Sequence, residues 1–382
     1  MRVLLINAVC GTGSTGKICA AIAQQYEQEG HEAKIAYGRD GFVPEAFQKY
    51  AVRIGNDLDV RLHGVYTRLT DRHGFASRAA TRKFLQWASE YDPDVVWLHN
   101  IHGYYINIEL LFQWIKSRPS MQVKWTLHDC WAFTGHCSYF DFVGCNKWNT
   151  GCLKCPQKKS YPASLMMDAS KWNFGKKKEL FTGVANMTLI TPSKWLADLV
   201  KQSFLKEYPV EVVYNTINTE VFKPTPGDFR ERYGLQDKKI ILGVASTWEK
   251  RKGLDDFVKL AGLLDDKYQI VLVGVKAEQA KNLPKNILSI ARTNNQKELA
   301  EIYTAADVFL NPTYEDNYPT VNLEAQACGT RVITYDTGGC KETLQGQGGQ
   351  VVPQGVEHLY YALGERKENQ SFGGVDNCEK SE

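Results

Sequence analysis

The sequence predicts an α/β protein built from two Rossmann-like domains, each a doubly wound parallel sheet. Short β-branched runs alternate with helix-length amphipathic segments through almost all of the 382 residues. Several of the runs are continuously apolar, which is typical of strands buried on both faces. Eleven candidate strands are too many for one open sheet of the usual size. We therefore expect two sheets facing across a cleft.

The candidate strands fall into two groups. The first group comprises residues 2–7, 32–38, 94–100, 124–129 and 187–192, and the second comprises 210–215, 239–246, 268–275, 286–291, 306–311 and 330–336. Because the pattern restarts near residues 203–209, the predicted domains are 1–205 and 206–365. A cysteine-rich insertion lies near residues 130–155 of the first, and residues 366–382 form a polar tail.

Composition excludes several classes of protein. Hydrophobic residues make up 43% and charged residues 23%, which are globular values that exclude a disordered chain, a fibre and a coiled coil. No apolar run approaches the roughly 18 residues of a membrane span, and no signal sequence opens the chain, so the prediction is a cytoplasmic protein. Residues 1–205 carry 25 basic and 17 acidic side chains, against 21 and 26 in the remainder. The basic half suits phosphates or an anionic membrane surface, unless the asymmetry is random surface charge.

A glycine-rich turn follows the first strand. Gly11, Gly13 and Gly16 satisfy the G-x-G-x-x-G pattern and precede a helix predicted to run to about residue 29. Glycines allow close approach of a ligand, and the free amides of a helix N-terminus bind anions. A phosphate or substrate contact, a dinucleotide site with Asp40 after the second strand, and a purely structural turn all remain open.

Polar residues close two strands of the first domain. His99 and Asn100 end one strand, with His102 just beyond, and His128 and Asp129 end another. Ligands of open parallel sheets bind at the carboxyl ends of the strands. These residues are therefore candidates for a ligand-binding site, although a lone histidine is more often structural.

The second domain has two candidate segments at strand ends. Residues 249–253 place Arg251 and Lys252 before a helix, where cations suit a diphosphate. Residues 312–325 follow a strand and lead into a helix that begins near Pro319. Asp316 and Glu324 in this segment would repel a phosphate, so we expect them to accept hydrogen bonds from sugar or ribose hydroxyls.

With these motifs, the chain resembles the retaining nucleotide-sugar enzymes of glycosyltransferase family 4, which have the GT-B fold. The resemblance extends from Arg2 to about Leu363, and its most specific part, residues 306–330, resembles the family's E-x7-E block. It implies that Lys252 holds the diphosphate, that Glu324 binds the ribose, and that Asp316 contacts the donor sugar. It further implies that His128 lies near the reacting sugar, and that the donor site includes Gly16, Asn317, Tyr318 and Thr320. With a transferase expected, the candidates for acceptor binding are His99, Asn100, His102 and Asp129.

Two positions depart from the family pattern. Asp316 replaces a glutamate and is one methylene shorter, which puts its sugar contact in question. Ser246 stands where the family usually has an arginine, and Arg251 is the residue that would substitute for it.

The resemblance implies transfer of a hexose from a nucleoside diphosphate sugar to a hydroxyl of a saccharide or lipid-linked acceptor, with retention of configuration. The implied setting is surface polysaccharide assembly, and catalysis would need no metal or other cofactor because Lys252 supplies positive charge. Two alternatives stay open. One is an NAD(P)-dependent oxidoreductase that uses the Gly11–Gly16 turn, and the other is a degenerate homologue that only binds carbohydrate.

Five cysteines cluster within the insertion. Cys137, Cys145, Cys152 and Cys155 include one C-x-x-C pair, the half-site spacing of zinc ligands, and each has a glycine nearby. A structural zinc site is the favoured interpretation, with Cys130 and His136 as spare ligands. Unligated buried thiols and disulfides are the alternatives.

Two basic segments with interleaved aromatic residues complete the candidates. They contain Arg61, Arg68, Arg72, Arg78, Arg82 and Lys83, and then Lys171, Lys176, Lys177 and Lys178. They predict a peripheral contact with an anionic membrane, with a solvated basic face as the equal alternative. No nucleic-acid partner is expected, because no recognisable reading module accompanies the charge.

Overall fold

The computed structural model describes residues 1–344 and 349–364. Its chain divides into two compact units, one spanning Met1–Tyr214 and the other beginning at Asn215. The predicted polar tail, residues 366–382, lies outside the described residues. Among the described residues, no helix combines the length and apolar character that crossing a membrane requires.

The first unit contains a sheet of seven parallel strands in the order β3-β2-β1-β4-β5-β6-β7. The strands are β1 Arg2–Ile6, β2 Glu32–Tyr37, β3 Ala51–Arg53, β4 Val95–Leu98, β5 Gln122–Thr126, β6 Met187–Thr191 and β7 Val210–Val212. In β1, Leu4 and Ile6 join one hydrophobic cluster while Val3 and Leu5 join another. The sheet is therefore covered on both faces, as the continuous apolar runs predict.

Six α-helices cover this sheet. They are α1 Gly13–Gln28, α2 Asp57–Thr70, α3 Arg78–Tyr91, α4 Ile108–Lys116, α5 Ser170–Phe181 and α6 Lys194–Gln202. Three begin at a capping side chain that accepts a backbone hydrogen bond, namely Asn56, Asn107 and Ser193. Such caps satisfy amide groups that the first turn of a helix leaves without partners.

The second unit contains six parallel strands in the order β10-β9-β8-β11-β12-β13. The strands are β8 Lys239–Val244, β9 Tyr268–Val273, β10 Ile287–Ile290, β11 Val308–Asn311, β12 Arg331–Tyr335 and β13 Gly349–Val352. The helices are α7 Phe229–Arg232, α8 Leu254–Ala261, α9 Ala277–Ala280, α10 Gln296–Ala305, α11 Thr320–Ala327 and α12 Val356–Ala362.

Each of the eleven predicted strands corresponds to a strand of the structure, but one belongs to the other sheet. The strand near residue 210, predicted to open the second domain, pairs with β6 as β7 and closes the first sheet. The division of the chain accordingly falls after Tyr214 rather than after residue 205. The strands absent from the prediction, β3 and β13, are short strands at sheet edges, where half-exposed side chains leave little apolar pattern.

Candidate active site

In each sheet, the strands that follow the first strand in sequence lie on one side of it, and the later strands lie on its other side. The strand order therefore reverses at one point in each sheet, and the candidate residues lie there. In the first sheet β1 lies between β2 and β4, and in the second β8 lies between β9 and β11. The loops that follow β1 and β4, or β8 and β11, diverge to opposite faces and leave a crevice between them. The glycine turn, His99 and Asn100 follow one such pair of strands, and Lys252 and Asp316 follow the other.

The glycine turn forms a tight loop that closes on the start of α1. Gly11 and Gly13 have positive φ angles of 69° and 61°, and the Gly11 N–H donates to the carbonyl of Gly16 at 3.2 Å. A Cβ atom on Gly16 would lie 3.2 Å from the Gly11 nitrogen, so a larger residue would disturb the loop. Thr12, the N-cap of α1, makes no side-chain capping hydrogen bond. The turn can therefore present backbone amides to an anion.

A buried asparagine that the sequence analysis did not identify joins this turn to the end of β4. Asn7 is fully buried, and its Nδ2 donates to the carbonyl of Val9 at 2.8 Å. Its Oδ1 accepts a hydrogen bond from the Asn100 backbone amide at 3.2 Å. Its position directly after β1 was the available signal, because it is a polar residue at the carboxyl end of a buried strand.

His99 and His128 form a stacked pair at the ends of β4 and β5. His99 Nδ1 lies 3.0 Å from His128 Nε2, and the ring centroids are 5.3 Å apart. His99 is only 2% exposed, and its role in acceptor binding stays a prediction. Burial lowers the pKa of His128 to about 4 and lowers that of His99 as well. Both imidazoles are therefore neutral near pH 7.

His102 and Asp129 form a second pair, and the cysteine-rich insertion adds a tyrosine to it. His102 Nε2 and Asp129 Oδ2 lie 3.1 Å apart, and His102 Nδ1 lies 3.1 Å from the hydroxyl of Tyr161. Burial tends to raise the pKa of Asp129, but His102 and the Trp131 N–H outweigh it and the pKa is lowered. Asp129 is thus an ionised acceptor of hydrogen bonds, which suits hydroxyl groups. Sequence reasoning could not identify Tyr161, because its contact depends on how a long loop folds back.

The neutral histidines make the stability of the protein sensitive to acid. The pKa of His128 is about 4 in the folded chain against an ordinary value of 6.5, so the unfolded chain binds more protons between these values. Stability is then fully present above about pH 6.5 and falls as pH drops toward 4, by up to about 3 kcal/mol for this residue. Urea unfolding from pH 7 to 4 should give a shallower decline for His128→Gln than for wild type. His358→Gln, in a side chain that is 40% exposed, should leave the wild-type slope, and identical slopes for all three proteins would contradict the assignment.

Lys252 and Asp316 meet at the crevice of the second sheet. Lys252 Nζ lies 2.5 Å from Asp316 Oδ2, with side chains 23% and 17% exposed. The other carboxylate oxygen of Asp316 accepts a hydrogen bond from the Asn317 amide at 3.0 Å. A backbone hydrogen bond also joins the loops that carry Lys252 and Asp316, since the Tyr314 N–H donates to the carbonyl of Arg251 at 2.7 Å. The predicted proximity of Lys252 and Asp316 is thus present within one unit.

The two departures from the family pattern have different surroundings. Arg251 Nε contacts the Glu249 carboxylate at 2.9 Å, and its Nη1 lies 3.5 Å from the carbonyl of Glu315. Its guanidinium therefore lies along the loop that carries Asp316. Ser246 is exposed just after β8 and contributes no charge. Lys252 is consequently the cation that contacts the carboxylate of Asp316.

Buried polar contacts fix α11, which carries Thr320 and Glu324. Asn311 Nδ2 donates to Asn322 Oδ1 at 2.9 Å, and Asn322 Nδ2 donates to Thr343 Oγ1 at 2.8 Å. Glu324 Oε2 accepts a hydrogen bond from Tyr303 at 3.1 Å. Asn317 and Tyr318, at the entry to the helix, are buried. Because buried hydrogen-bond networks are rigid when satisfied, α11 has a defined position relative to β11.

The cysteine-rich insertion folds around a buried lysine. Lys177 of α5 is 1% exposed, and its Nζ donates to the carbonyls of Trp131 and Thr134 at 2.7 and 3.1 Å. Burial lowers its pKa to about 7. The prediction that Lys177 belongs to a surface basic patch is therefore wrong, because its charged end binds the insertion. Cys137, Cys145, Cys152 and Cys155 all line one cavity nearby.

Comparison with known families matches both units. The model described as "Glycosyltransferase Family 4" matches residues 15–221, and the model described as "Glycosyl transferases group 1" matches residues 227–370. A relative from Escherichia coli K12, described as a putative colanic acid biosynthesis glycosyl transferase, is 24% identical over 93% of this chain and 88% of its own length. An N-acetylgalactosaminyltransferase of Campylobacter jejuni, which acts on a diphospho-undecaprenol acceptor by its name, is 28% identical over 39% of this chain and 42% of its own.

Solved structures share the fold. Sucrose-phosphate synthase from Thermosynechococcus elongatus aligns with a TM-score of 0.66 at 17% identity, over 95% of this chain and 88% of that one. HepE of Anabaena, solved with UDP-glucose, aligns with a TM-score of 0.60 at 15% identity, over 95% and 89% of the two chains. At these identities the similarity establishes the fold class, and it agrees with the predicted GT-B fold.

Proposed function

Because this chain belongs to glycosyltransferase family 4, we propose that it transfers a hexose from a nucleoside diphosphate sugar to a hydroxyl acceptor with retention of configuration. The observation that carries the proposal is the contact between Lys252 and Asp316 at the crevice of the second sheet. It brings a cation for a diphosphate beside a carboxylate for sugar hydroxyls. The family membership leaves no support for the oxidoreductase alternative.

The donor site is assigned to the second unit. Lys252 neutralises charge that develops on the departing diphosphate, an electrostatic effect that is large in a partly buried site. The backbone from Asn317 to Thr320 lies at the start of α11, where amide groups favour an anion. Glu324 in the same helix accepts hydrogen bonds from the ribose, as its contact with the Tyr303 hydroxyl illustrates.

The acceptor site is assigned to the first unit. Asp129, His102 and Tyr161 offer a carboxylate, an imidazole and a hydroxyl close together, a combination that suits the hydroxyls of a saccharide. His128 is neutral near pH 7, so it can hydrogen-bond the reacting sugar without adding positive charge. Gly16 holds the turn whose backbone amides suit a phosphate group.

The reaction needs no protein nucleophile. The acceptor oxygen bonds to the anomeric carbon as the bond between that carbon and the phosphate oxygen breaks. The acceptor proton passes to a phosphate oxygen on the same face of the sugar, so the configuration is retained. Positive charge from Lys252 stabilises the leaving group, and this role requires no metal ion.

Incubation with a panel of nucleotide sugars tests this function. Mass spectrometry of the products with saccharide and polyprenyl-diphosphate-linked acceptors should show addition of one hexose for one donor, with release of the nucleoside diphosphate. NMR of the new linkage should show the same anomeric configuration as the donor. An inverted linkage contradicts retention, and nucleotide binding without transfer or hydrolysis for every donor indicates the degenerate carbohydrate-binding homologue instead.

The relatives and one surface helix support a place in surface polysaccharide assembly at an anionic membrane. Helix α2 buries His63, Gly64 and Thr67, yet exposes an apolar row on its opposite side. The row consists of Leu58, Leu62, Val65 and Leu69, which are 63%, 59%, 50% and 46% exposed. An ordinary surface helix has its apolar side chains facing the core, so an exposed apolar row of this kind is unusual.

The insertion extends this apolar row, and arginines flank it. The Leu165 N–H donates to the carbonyl of Arg68 at 2.8 Å, which joins an exposed segment, Leu165 to Met167, to the end of α2. Arg61 and Arg68 are exposed on the same helix. Apolar side chains with flanking cations suit the headgroup region of an anionic bilayer, so we assign the peripheral membrane contact to this surface of a cytoplasmic enzyme.

Vesicle binding tests the membrane contact. The double variant Leu62→Asp, Leu69→Asp should bind vesicles containing about one-third phosphatidylglycerol at least about ten-fold more weakly than wild type, because it replaces apolar contacts with repulsive charge. Tyr361→Asp, at an exposed residue of α12, should bind as wild type does. Equal binding by the double variant, or a wild type that ignores vesicles and instead forms complexes with protein through α2, would overturn the assignment.

A further inference from the structure

The cysteine-rich insertion contains an arrangement of thiols that the transfer reaction does not use. Between the end of β5 and the start of α5, the chain forms two short 3-10 helices, Trp131–Phe133 and Lys147–Asn149, and is otherwise irregular. Irregular segments of this length are uncommon inside compact domains. Its aromatic side chains pack into the hydrophobic cluster of the first unit, with Trp148 lying 5.4 Å from Phe133 and 4.9 Å from Phe140 between ring centroids.

Four thiols converge on one cavity in this segment. Its lining includes Cys137, Cys145, Cys152 and Cys155. The Cys137 thiol is hydrogen-bonded to Cys155, and Cys152 Sγ accepts a hydrogen bond from the Gly135 N–H at 3.2 Å. No disulfide joins any of the nine cysteines within residues 1–344 and 349–364. Folding thus places cysteines that are up to eighteen residues apart in the sequence around one cavity.

The structure also separates these four cysteines from the two spare candidates. His136 Nδ1 lies 2.5 Å from Asp71 Oδ1, and its Nε2 lies 3.4 Å from the carbonyl of Ser160. Both nitrogens already have partners, so His136 anchors the insertion to α2. Cys130 is 0% exposed and does not line the cavity. The ligand set that remains is four sulfur atoms.

We propose that Cys137, Cys145, Cys152 and Cys155 bind one structural zinc ion. Four thiolates in tetrahedral arrangement are a preferred ligand set of Zn²⁺, and a closed set with no open position is typical of structural sites. Lys147 supports the arrangement, since its Nζ donates to the carbonyls of Leu153 and Lys154 at 3.1 and 3.0 Å. It holds the turn between Cys152 and Cys155 and supplies positive charge near the thiolates.

Binding requires the thiols to turn inward. In the described parts of the chain, no three His, Cys, Asp or Glu side chains are already arranged as a metal site. A hydrogen-bonded thiol and a metal-bound thiolate prefer different side-chain orientations, and binding releases the thiol protons. The backbone already brings the four residues together, so rotation of side chains around the cavity suffices.

The proposed ion would stiffen the part of the insertion that reaches the acceptor site. Cys155 is followed closely by Tyr161, whose hydroxyl contacts His102. The Cys155 N–H also donates to Asp168 Oδ2 at 2.7 Å, next to the start of α5. An ion bound in this cavity would therefore restrain the chain before and after Tyr161. Its proposed role is to position Tyr161.

Metal analysis of the purified full-length protein tests the proposal directly. Protein prepared without chelator should contain about one zinc ion per chain, and a mercurial reagent should release it as four thiols react. Cobalt substitution should produce the strong visible absorption of a tetrahedral thiolate site. Cys152→Ala, Cys155→Ala should lose the zinc, whereas Cys19→Ala, at a buried cysteine of α1 outside the cavity, should retain it.

The wild-type measurements decide the question even if the double variant fails to fold. A chain that contains no zinc, contains iron instead, or has disulfides among these cysteines under non-reducing conditions overturns the proposal. These readouts do not depend on glycosyl transfer. A failed zinc test therefore leaves the proposed activity standing, and a failed transfer assay leaves the zinc site standing.

Discussion

Replacement of Lys252 by alanine is expected to lower kcat/KM for glycosyl transfer by about 10²–10³-fold, the usual effect of removing one group that stabilises developing charge. Its Nζ is 2.5 Å from Asp316, and its side chain is 23% exposed. The charge therefore acts in a partly desolvated site, where it is stronger than in water. The loss would also leave the Asp316 carboxylate, beside the proposed diphosphate site, without the lysine that contacts it. Steady-state kinetics with the donor identified by the nucleotide-sugar panel would measure the effect.

A neighbouring lysine provides the matched control. Lys250 belongs to the same 3-10 helix, Lys250–Lys252, and is exposed, so Lys250→Ala removes an equal charge a few residues away. It should retain activity within about two-fold, because exposed charges are screened by solvent. Lys252→Arg keeps the charge but changes the geometry and should fall between the two. Activity of Lys252→Ala within about three-fold of wild type would remove this residue from the diphosphate site.

The fold is largely predictable from the sequence because parallel strands buried on both faces leave a strong signal. Strands such as β1 and β8 are apolar at nearly every position, and that pattern requires helices on both sides. The assignment of β7 failed for a different reason. Nothing in a local pattern states which sheet a strand joins, and β7 pairs with β6 through contacts that only the folded chain provides.

The residues of the candidate site that lie just after a strand could be predicted from the sequence. Lys252 and Asp316 follow β8 and β11, which are adjacent in the sheet, so their meeting follows from topology. Tyr161 and Lys177 could not be found in this way. Tyr161 contacts His102, which is 59 residues away in the sequence. Lys177 lies among other lysines in the sequence, and only the folded structure shows that its side chain is buried. Both depend on how the insertion folds, which periodicity does not encode.

Replacement of Gly253 by alanine is expected to destabilise the protein by about 3 kcal/mol or more and to reduce transfer severely. Gly253 has a φ angle of 76°, and a Cβ atom there would lie 2.2 Å from the carbonyl oxygen of Pro312. That distance is well inside contact range, so the backbone of one loop must move. Since Gly253 follows Lys252 and Pro312 leads to Asp316, the shift separates the two groups whose contact defines the proposed donor site.

Gly234 separates the steric effect from the cost of a positive φ angle. Gly234 has a φ of 65°, and a Cβ atom there would meet nothing within 4 Å. Gly234→Ala therefore has the conformational penalty alone, about 1 kcal/mol, and should keep wild-type transfer. Urea unfolding and kinetics of both variants measure the difference. Equal losses of stability would mean that the two loops are not in close contact, and full activity in Gly253→Ala would mean that the separation of Lys252 and Asp316 does not control the reaction.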